Sequence, residues 1–375
     1  MGAKISKEVR FRKFGARLAL IFPFGQISAF LQPLMKNLED LKALLSSPKK
    51  VAIVTHFKPD ADALGSSLGL AGFLRRKGHQ VTVITPSDFP EFLSWMPGSE
   101  SVIALSKKSK EPETKSAAHF AAADIIFCLD FSSLGRINEL GAMVRNSPAI
   151  KVMIDHHLEP EHFADYEKWD IRDASTAQLV YDFIVSLGEK QMIDASTASC
   201  LYAGLMTDTG GFRHNNTTAR EFRVAEELTS LGANPSEVAR LVYDVNSLGR
   251  LRLTGYVLNH KLTVLPEYRT AYMTLSQDEL RKFDVQTGDT EGLVNYGLSV
   301  KDVQLSVLMY DRGEEIKISF RSLGSFSVND MARAHFEGGG HRNASGGSSK
   351  LSLDQTLERF LNILPHYKEK LINNS

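Results

Sequence analysis

Histidines and aspartates recur at four places in this chain, each time where an apolar run ends. His56, Asp60 and Asp62 follow the run 51–55, in Thr55-His56-Phe57-Lys58-Pro59-Asp60-Ala61-Asp62. Asp130 follows 125–129, Asp155-His156-His157 follows 152–154, and Asp208 follows the helix-like run 199–205. Each piece alone has a plain explanation. Asp62 would serve as a helix N-cap, Asp130 and Asp208 as turn residues, and the histidines as a surface pair. Together they offer six ligands of mixed carboxylate and imidazole type, His56, Asp60, Asp62, Asp130, His156 and Asp208. That mixture suits two divalent ions such as manganese or magnesium. The absence of thiol spacing argues against structural zinc. Adjacent histidines on extended backbone point in different directions, so one can meet a metal while the other faces substrate.

A further signal is Phe336-Glu337-Gly338-Gly339-Gly340-His341-Arg342-Asn343, continuing to Gly347. One glycine would end a helix. Three in a row beside a histidine predict backbone N–H groups that come close to an anion. Upstream, the alternating run 315–320 leads into Arg321-Ser322, and Arg321 could pair with a phosphate.

Short apolar runs at 51–55, 81–85, 125–129 and 152–154 alternate with helical stretches such as 38–45 and 64–77. That pattern predicts a parallel α/β sheet, and functional groups then collect at the carboxyl ends of its strands. Residues 175–245 read as mainly helical, with a stop at Gly232-Ala-Asn-Pro235. From about 266 the texture changes to longer alternating strands at 268–275, 303–310 and 315–320. Two helices follow, starting at Ser327 and Ser352, each with a capping-box pattern. The boundaries expected are 35–245 for the first domain, 246–265 for a connecting helix and 266–375 for the second domain. Residues 1–34, basic and then briefly apolar, are expected to lie outside the fold, with Met35 as its start.

Lys+Arg and Asp+Glu are both 44, giving zero net charge over 375 residues. This disfavours a grip on long nucleic acid, which takes a basic surplus. Cys128 and Cys200 sit in apolar surroundings and form no disulfide framework, as in a reducing cytoplasm. No run is long enough to span a bilayer, so no membrane association is expected.

In this order, the motifs resemble the DHH phosphoesterase superfamily, named for the triplet that Asp155-His156-His157 forms here. Residues 51–65, 125–136, 152–158 and 204–213 are similar to its four N-terminal motifs, and Arg321-Ser322 with 338–347 to its DHH-associated C-terminal domain. The resemblance implies an N-terminal parallel-sheet domain with helices on both faces, a smaller C-terminal α/β domain with a mixed sheet, and an active site in the cleft between them. It implies that His56 and Asp60 hold one ion, that Asp62, His156 and Asp208 hold a second, and that Asp130 bridges both. His157 would contact the scissile phosphate and Asp155 would orient a ligand histidine. Arg321, Ser322, His341 and the backbone of Gly338, Gly339 and Gly340 would hold the nucleotide.

The branch most similar in architecture acts on very short oligoribonucleotides (nanoRNA) and on 3′-phosphoadenosine 5′-phosphate. Two ions, manganese ahead of magnesium, would activate water for attack on the phosphate. The expected partners are a small nucleotide or short single-stranded RNA and no long duplex, with a homodimer left open. A hydrolase of linear dinucleotides from cyclic-dinucleotide turnover is the alternative, then a single-strand exonuclease. A family II pyrophosphatase would carry a Ser-Arg-Lys segment in its second domain, which this chain lacks, and the glycine-rich Gly338–Gly347 points away from it. A non-catalytic sensor would have lost ligands that are present here.

Overall fold

The computed structural model describes residues 35, 37–105, 111–286 and 288–374. The segment 1–34, expected above to lie outside the fold, is not among them. Within the first half, β1 (Lys50–Thr55), β2 (Gln80–Thr85), β3 (Ile103–Ala104), β4 (Ile125–Leu129), β5 (Ile150–Asp155) and β6 (Tyr166–Trp169) form a six-stranded sheet in the order β3-β2-β1-β4-β5-β6. Every neighbouring pair in it is parallel. Helix α1 (Leu38–Leu44) precedes the sheet, the crossovers carry α2 (Ala61–Arg76), α3 (Glu111–Ala122) and α4 (Glu139–Asn146), and α5 (Thr176–Ser186), α6 (Ala195–Asp208), α7 (Ala219–Ser230) and α8 (Pro235–Tyr243) follow β6.

Helices cover both faces, and β1 shows why. Its Val51 and Ile53 pack with Leu64 and Phe73 of α2, Phe183 of α5 and Leu201 of α6. The intervening Ala52 and Val54 pack with Phe120 of α3 and Leu140 and Val144 of α4. A strand buried on both sides reads as a continuous apolar run, which is what 51–55 displays.

The second half opens with α9 (Leu248–His260). Then come β7 (Thr263–Leu265), β8 (Thr270–Leu275), α10 (Gln277–Lys282), α11 (Leu293–Leu298), β9 (Leu305–Asp311), β10 (Ile316–Ser322) and α12 (Val328–His335). β11 (Gly339–Gly340), β12 (Ala344–Ser349), α13 (Leu353–Ile363) and α14 (Lys368–Ile372) complete it. The sheet order is β11-β12-β10-β9-β8-β7. It is mixed: β8 and β9 are parallel and the other pairs antiparallel. Leu305, Val307 and Met309 of β9 face α12 and α13, in a core with Ile318, Phe320, Met331 and Phe360. On the other face Leu308 packs with Leu253 and Val257 of α9 and Leu293 and Val294 of α11. On the same face of β10, half-buried Lys317, Ser319 and Arg321 alternate with buried Ile318 and Phe320.

Two local readings change. The N-cap of α2 is Asp60, whose side chain accepts from Asp62 N–H and Ala63 N–H, so Asp62 lies inside the first turn. At Ser352 both arms of the capping box form, whereas Ser327 closes only its own, to Asp330 N–H. The glycine-rich segment forms a hairpin, with Gly339 paired to Gly346 and Gly340 to Ser345. Among the described residues, no helix is long and apolar enough to cross a membrane.

Candidate metal centre

The carboxyl ends of β1, β4 and β5 and the end of α6 converge. His56 leaves β1 with Nδ1 3.0 Å from the Phe57 carbonyl oxygen, which turns Nε2 toward Asp130 Oδ2 at 3.4 Å and Asp60 Oδ2 at 3.8 Å. Asp60 divides its carboxylate, Oδ1 capping α2 and Oδ2 remaining for the centre. Asp130 stands just past β4 in the left-handed region, at φ 66°. Such a conformation is uncommon outside glycine and concentrates at functional sites.

His156 has its Nδ1 3.2 Å from the Asp173 carbonyl oxygen. Its Nε2 points to Asp208 Oδ2 at 3.4 Å, Asp130 Oδ1 at 3.5 Å and Asp62 Oδ2 at 3.7 Å. Asp62, fully buried, also accepts from the N–H groups of Thr176 (2.7 Å) and Ala177 (2.8 Å) at the start of α5. Asp130 therefore turns Oδ2 to the His56–Asp60 side and Oδ1 to the His156 side. Thr176, unnoticed in the sequence, steadies it by donating from Oγ1 to Asp130 Oδ1 at 2.8 Å.

The donor atoms of His56, Asp60 and Asp130 lie within 4.8 Å of one another, and so do those of Asp62, His156 and Asp208. Two further groupings, His156 with His157 and His341, and Asp130 with Asp155 and His157, lie as close. The chemistry fits a pair of cations. His156 Nε2 is buried without a hydrogen-bond partner while facing three carboxylates at distances too long for good hydrogen bonds. Burial and the neighbouring carboxylates push the carboxyls of Asp62 and Asp208 well above the usual range. Burial also works to raise Asp130, but contact with His156 and His56 overcomes it and holds that carboxyl well below. His156 is raised well above the ordinary histidine value: burial opposes this, and Asp130, Asp208 and Asp62 prevail. A cation between these oxygens would relieve that repulsion.

Asp155 differs from its expected role. Its Oδ1 lies 2.8 Å from Nδ1 of His157, so the histidine it holds is not His156, the one expected among the six ligands. Burial raises Asp155 to about 6 and holds His157 well below the ordinary value. His341, at the turn between β11 and β12, reaches across the cleft. Its ring centroid is 4.3 Å from that of His157 and 4.6 Å from that of His156. Arg321 faces the same cleft, where Asp208, Glu291 and Asp60 feel its charge, although burial holds its guanidinium below its usual range.

Ser322, expected at the substrate, is on the opposite face of β10. Its hydroxyl donates to the Phe326 carbonyl at 2.7 Å and accepts from Asn343 Nδ2 at 2.9 Å, because successive strand residues alternate faces. Asn343 in turn accepts from Asn215 Nδ2 at 3.2 Å, joining the His341 turn to the loop beyond Asp208. Close packing requires glycine at 338, 340 and 347, whereas a Cβ at 339 or 346 would meet only ordinary contacts. A Cβ on Gly338 would stand 2.2 Å from the Gly346 carbonyl oxygen, and Gly340 has φ +143°.

Residues 50–205 match the DHH family, N-terminal domain, and residues 268–370 match the DHHA1 domain. The chain is 33% identical over 313 residues, covering 83% of it and 88% of the relative, to the bifunctional oligoribonuclease and PAP phosphatase NrnA of Thermus thermophilus. The chain belongs to the DHH family. The NrnA of Bacillus subtilis is 27% identical to this DHH protein, over 78% of the chain and 87% of the relative. The crystal structure of an exopolyphosphatase-related protein from Bacteroides fragilis superposes with a TM-score of 0.85 at 39% identity, covering 92% of this chain and all of that one. DHH phosphoesterases are metal-dependent, which accords with the clusters of acidic and imidazole groups.

Proposed function

We propose that this DHH protein hydrolyses short oligoribonucleotides (nanoRNA) and 3′-phosphoadenosine 5′-phosphate, with two divalent ions as cofactors. The observation that carries the reading is Asp130, whose two oxygens serve two separate donor groups. One ion would be held by His56, Asp60 and Asp130, the other by Asp62, Asp130, His156 and Asp208. Two ions there would neutralise the charge of the phosphate and make a water acidic enough to attack it. Imidazole beside carboxylate favours manganese over magnesium.

The chain's own groups supply position. His157, with Nδ1 held by Asp155, leaves Nε2 for the substrate. An approaching phosphate anion favours a proton on that atom, which turns it into a donor. His341 and Arg321 close on the nucleotide from the second sheet, and a nucleotide so held meets the reacting groups already oriented. Zero net charge supports small single-stranded substrates and no long duplex. Two buried free cysteines support a reducing cytoplasm.

The test is a panel of 3′-phosphoadenosine 5′-phosphate, di- to pentaribonucleotides and a twenty-nucleotide strand, each with manganese and with magnesium, read by chromatography. Turnover of the short substrates with manganese is expected. Equal rates on the long strand would move the protein to the exonuclease branch, and no turnover of any would overturn the reading.

A further inference from the structure

The turn between β6 and α5, residues 170–175, has no helix or strand of its own. Together with the first turn of α5 it nevertheless holds three of the candidate ligands. The Asp173 carbonyl faces His156 Nδ1 at 3.2 Å. The N–H groups of Thr176 and Ala177 hold Asp62, and the Thr176 hydroxyl holds Asp130. The Ala174 carbonyl is joined to the Asp208 carbonyl through Asn216, whose Nδ2 lies 3.5 Å from the first and 3.0 Å from the second. Asp62, His156 and Asp208 make up one donor group, and Asp130 belongs to the other. His56 and Asp60 are steadied elsewhere, by the Phe57 carbonyl and the start of α2.

The Asp173 side chain anchors this strap. It is buried, and its Oδ1 accepts from Arg220 Nε at 2.8 Å and from Gln178 Nε2 at 3.0 Å. Arg220 is the second residue of α7, and the other end of its guanidinium donates to Asp182 of α5. The Gln178 amide continues to Glu221 Oε1 at 3.1 Å, and Glu221 closes the capping box of α7 with Thr218. The donors therefore stand on helices, whereas the carboxylate they grip stands on a turn. The carboxylate and the carbonyl of Asp173 are parts of one residue, so holding the first restricts how the second can swing. That carbonyl accepts the Nδ1 proton of His156 and leaves the Nε2 lone pair for an ion.

We propose that Arg220 is a positioning residue for the ion at Asp62, His156 and Asp208. Through Asp173 it fixes the direction of His156 Nε2, and so sets how tightly that ion is held while leaving the ion at His56 and Asp60 nearly untouched. This rests on the two-ion reading above. Arginine suits the task because its planar fork grips two carboxylates in fixed directions, which a lysine ammonium does not.

The test is calorimetric titration of the full chain, stripped of metal, with manganese, alongside thermal melts in EDTA. Wild type should bind two ions. Arg220→Gln should weaken one of them by about tenfold, the low end for groups behind a ligand because it acts through one more residue, and the other by less than about threefold. The weakened step should be the one that Asp208→Asn also weakens. Hydrolysis by Arg220→Gln should need about ten times more manganese for half its maximal rate and recover near wild-type rate at saturation. Asp182→Asn is the control: it cuts the other arm of the fork, so it should lower the melting point while leaving both ions within about threefold. Should Arg220→Gln fail to fold, Arg220→Lys keeps the charge without the fork and should still weaken the same step by about threefold or more. Equal losses on both ions, the same loss in Asp182→Asn, no loss in a folded variant, or a rate that stays low at saturating manganese would make Arg220 a structural ion pair and overturn the proposal. Failure of the two-ion reading looks different, since wild type itself would then bind fewer than two ions.

Discussion

Asp208→Asn should make the ion-free protein more stable while weakening its hold on metal. The donor oxygens of Asp62 and Asp208 lie within 4.8 Å of each other, with His156 Nε2 between them. Two unit charges at that distance repel by about 3–4 kcal/mol at an effective dielectric of about 20. A protonated His156 returns part of this, and the Asp208 side chain keeps 23% of its exposure, so solvent screens more. The net gain from removing the charge is then about 1–2 kcal/mol. For domains of some 150–250 residues each kcal/mol moves the thermal midpoint by about 2–4 °C. The variant should therefore melt a few degrees above wild type in EDTA. Manganese should reverse the order. An ion at a hundred times its dissociation constant stabilises the folded state by about 2.7 kcal/mol, and the variant should receive only part of that. Thermal melts with and without manganese, together with metal content by elemental analysis, decide the matter. A lower midpoint for the variant in EDTA, or equal gains from manganese, would refute the idea that these carboxylates are held together against their repulsion.

Asp130→Ala should abolish hydrolysis while the circular dichroism spectrum stays close to wild type; activity within a few-fold would remove the shared bridging carboxylate from the mechanism. Arg321→Ala or His341→Ala should cut kcat/KM on nucleotides by about 10- to 150-fold and cost much less on bis-p-nitrophenyl phosphate; equal loss on both would place these residues in chemistry or folding. Burial works to raise the Glu279 carboxyl, but Lys261, Tyr256 and the Ser276 N–H hold it at about 2. A depressed carboxyl stabilises above its unfolded value and loses that contribution as pH falls through its folded value. Discounted for solvent screening, Glu279→Gln should thus cost about 1–2 kcal/mol at neutral pH, and the gap to wild type in denaturant melts should shrink between about pH 4.5 and 2; a gap that does not change with pH would contradict the assignment. Gly338→Ala should lower stability by about 1–3 kcal/mol through overpacking, since its Cβ would meet the Gly346 carbonyl oxygen at 2.2 Å; an unchanged thermal midpoint would mean that the hairpin yields.

The parallel sheet was legible because its strands are buried on both faces and therefore read as short unbroken apolar runs, as at 51–55 and 125–129. Strands without that burial were missed. Tyr166–Trp169 at a sheet edge and Ala344–Ser349, rich in glycine and serine, carry no such run and owe their pairing to their neighbours. The glycines of 338–347 stood out, and close packing of a hairpin accounts for Gly338, Gly340 and Gly347 but not for Gly339 or Gly346.

The order and type of the ligands were set by sequence alone, because each follows an element whose end the sequence marks. His56, Asp130 and the Asp155-His156-His157 triplet stand at carboxyl ends of adjacent parallel strands, so strand order brings them together. Tertiary structure decided what each side chain's second atom does. Asp60 rather than Asp62 caps α2, Asp155 takes hold of His157, and Ser322 turns away from the cleft into the Asn343 network. It also revealed Thr176, which is an ordinary residue in the sequence. A hydrogen bond, a stack or a pair of facing charges depends on distances of a few ångströms between segments a hundred or more residues apart, and only the folded chain sets those distances.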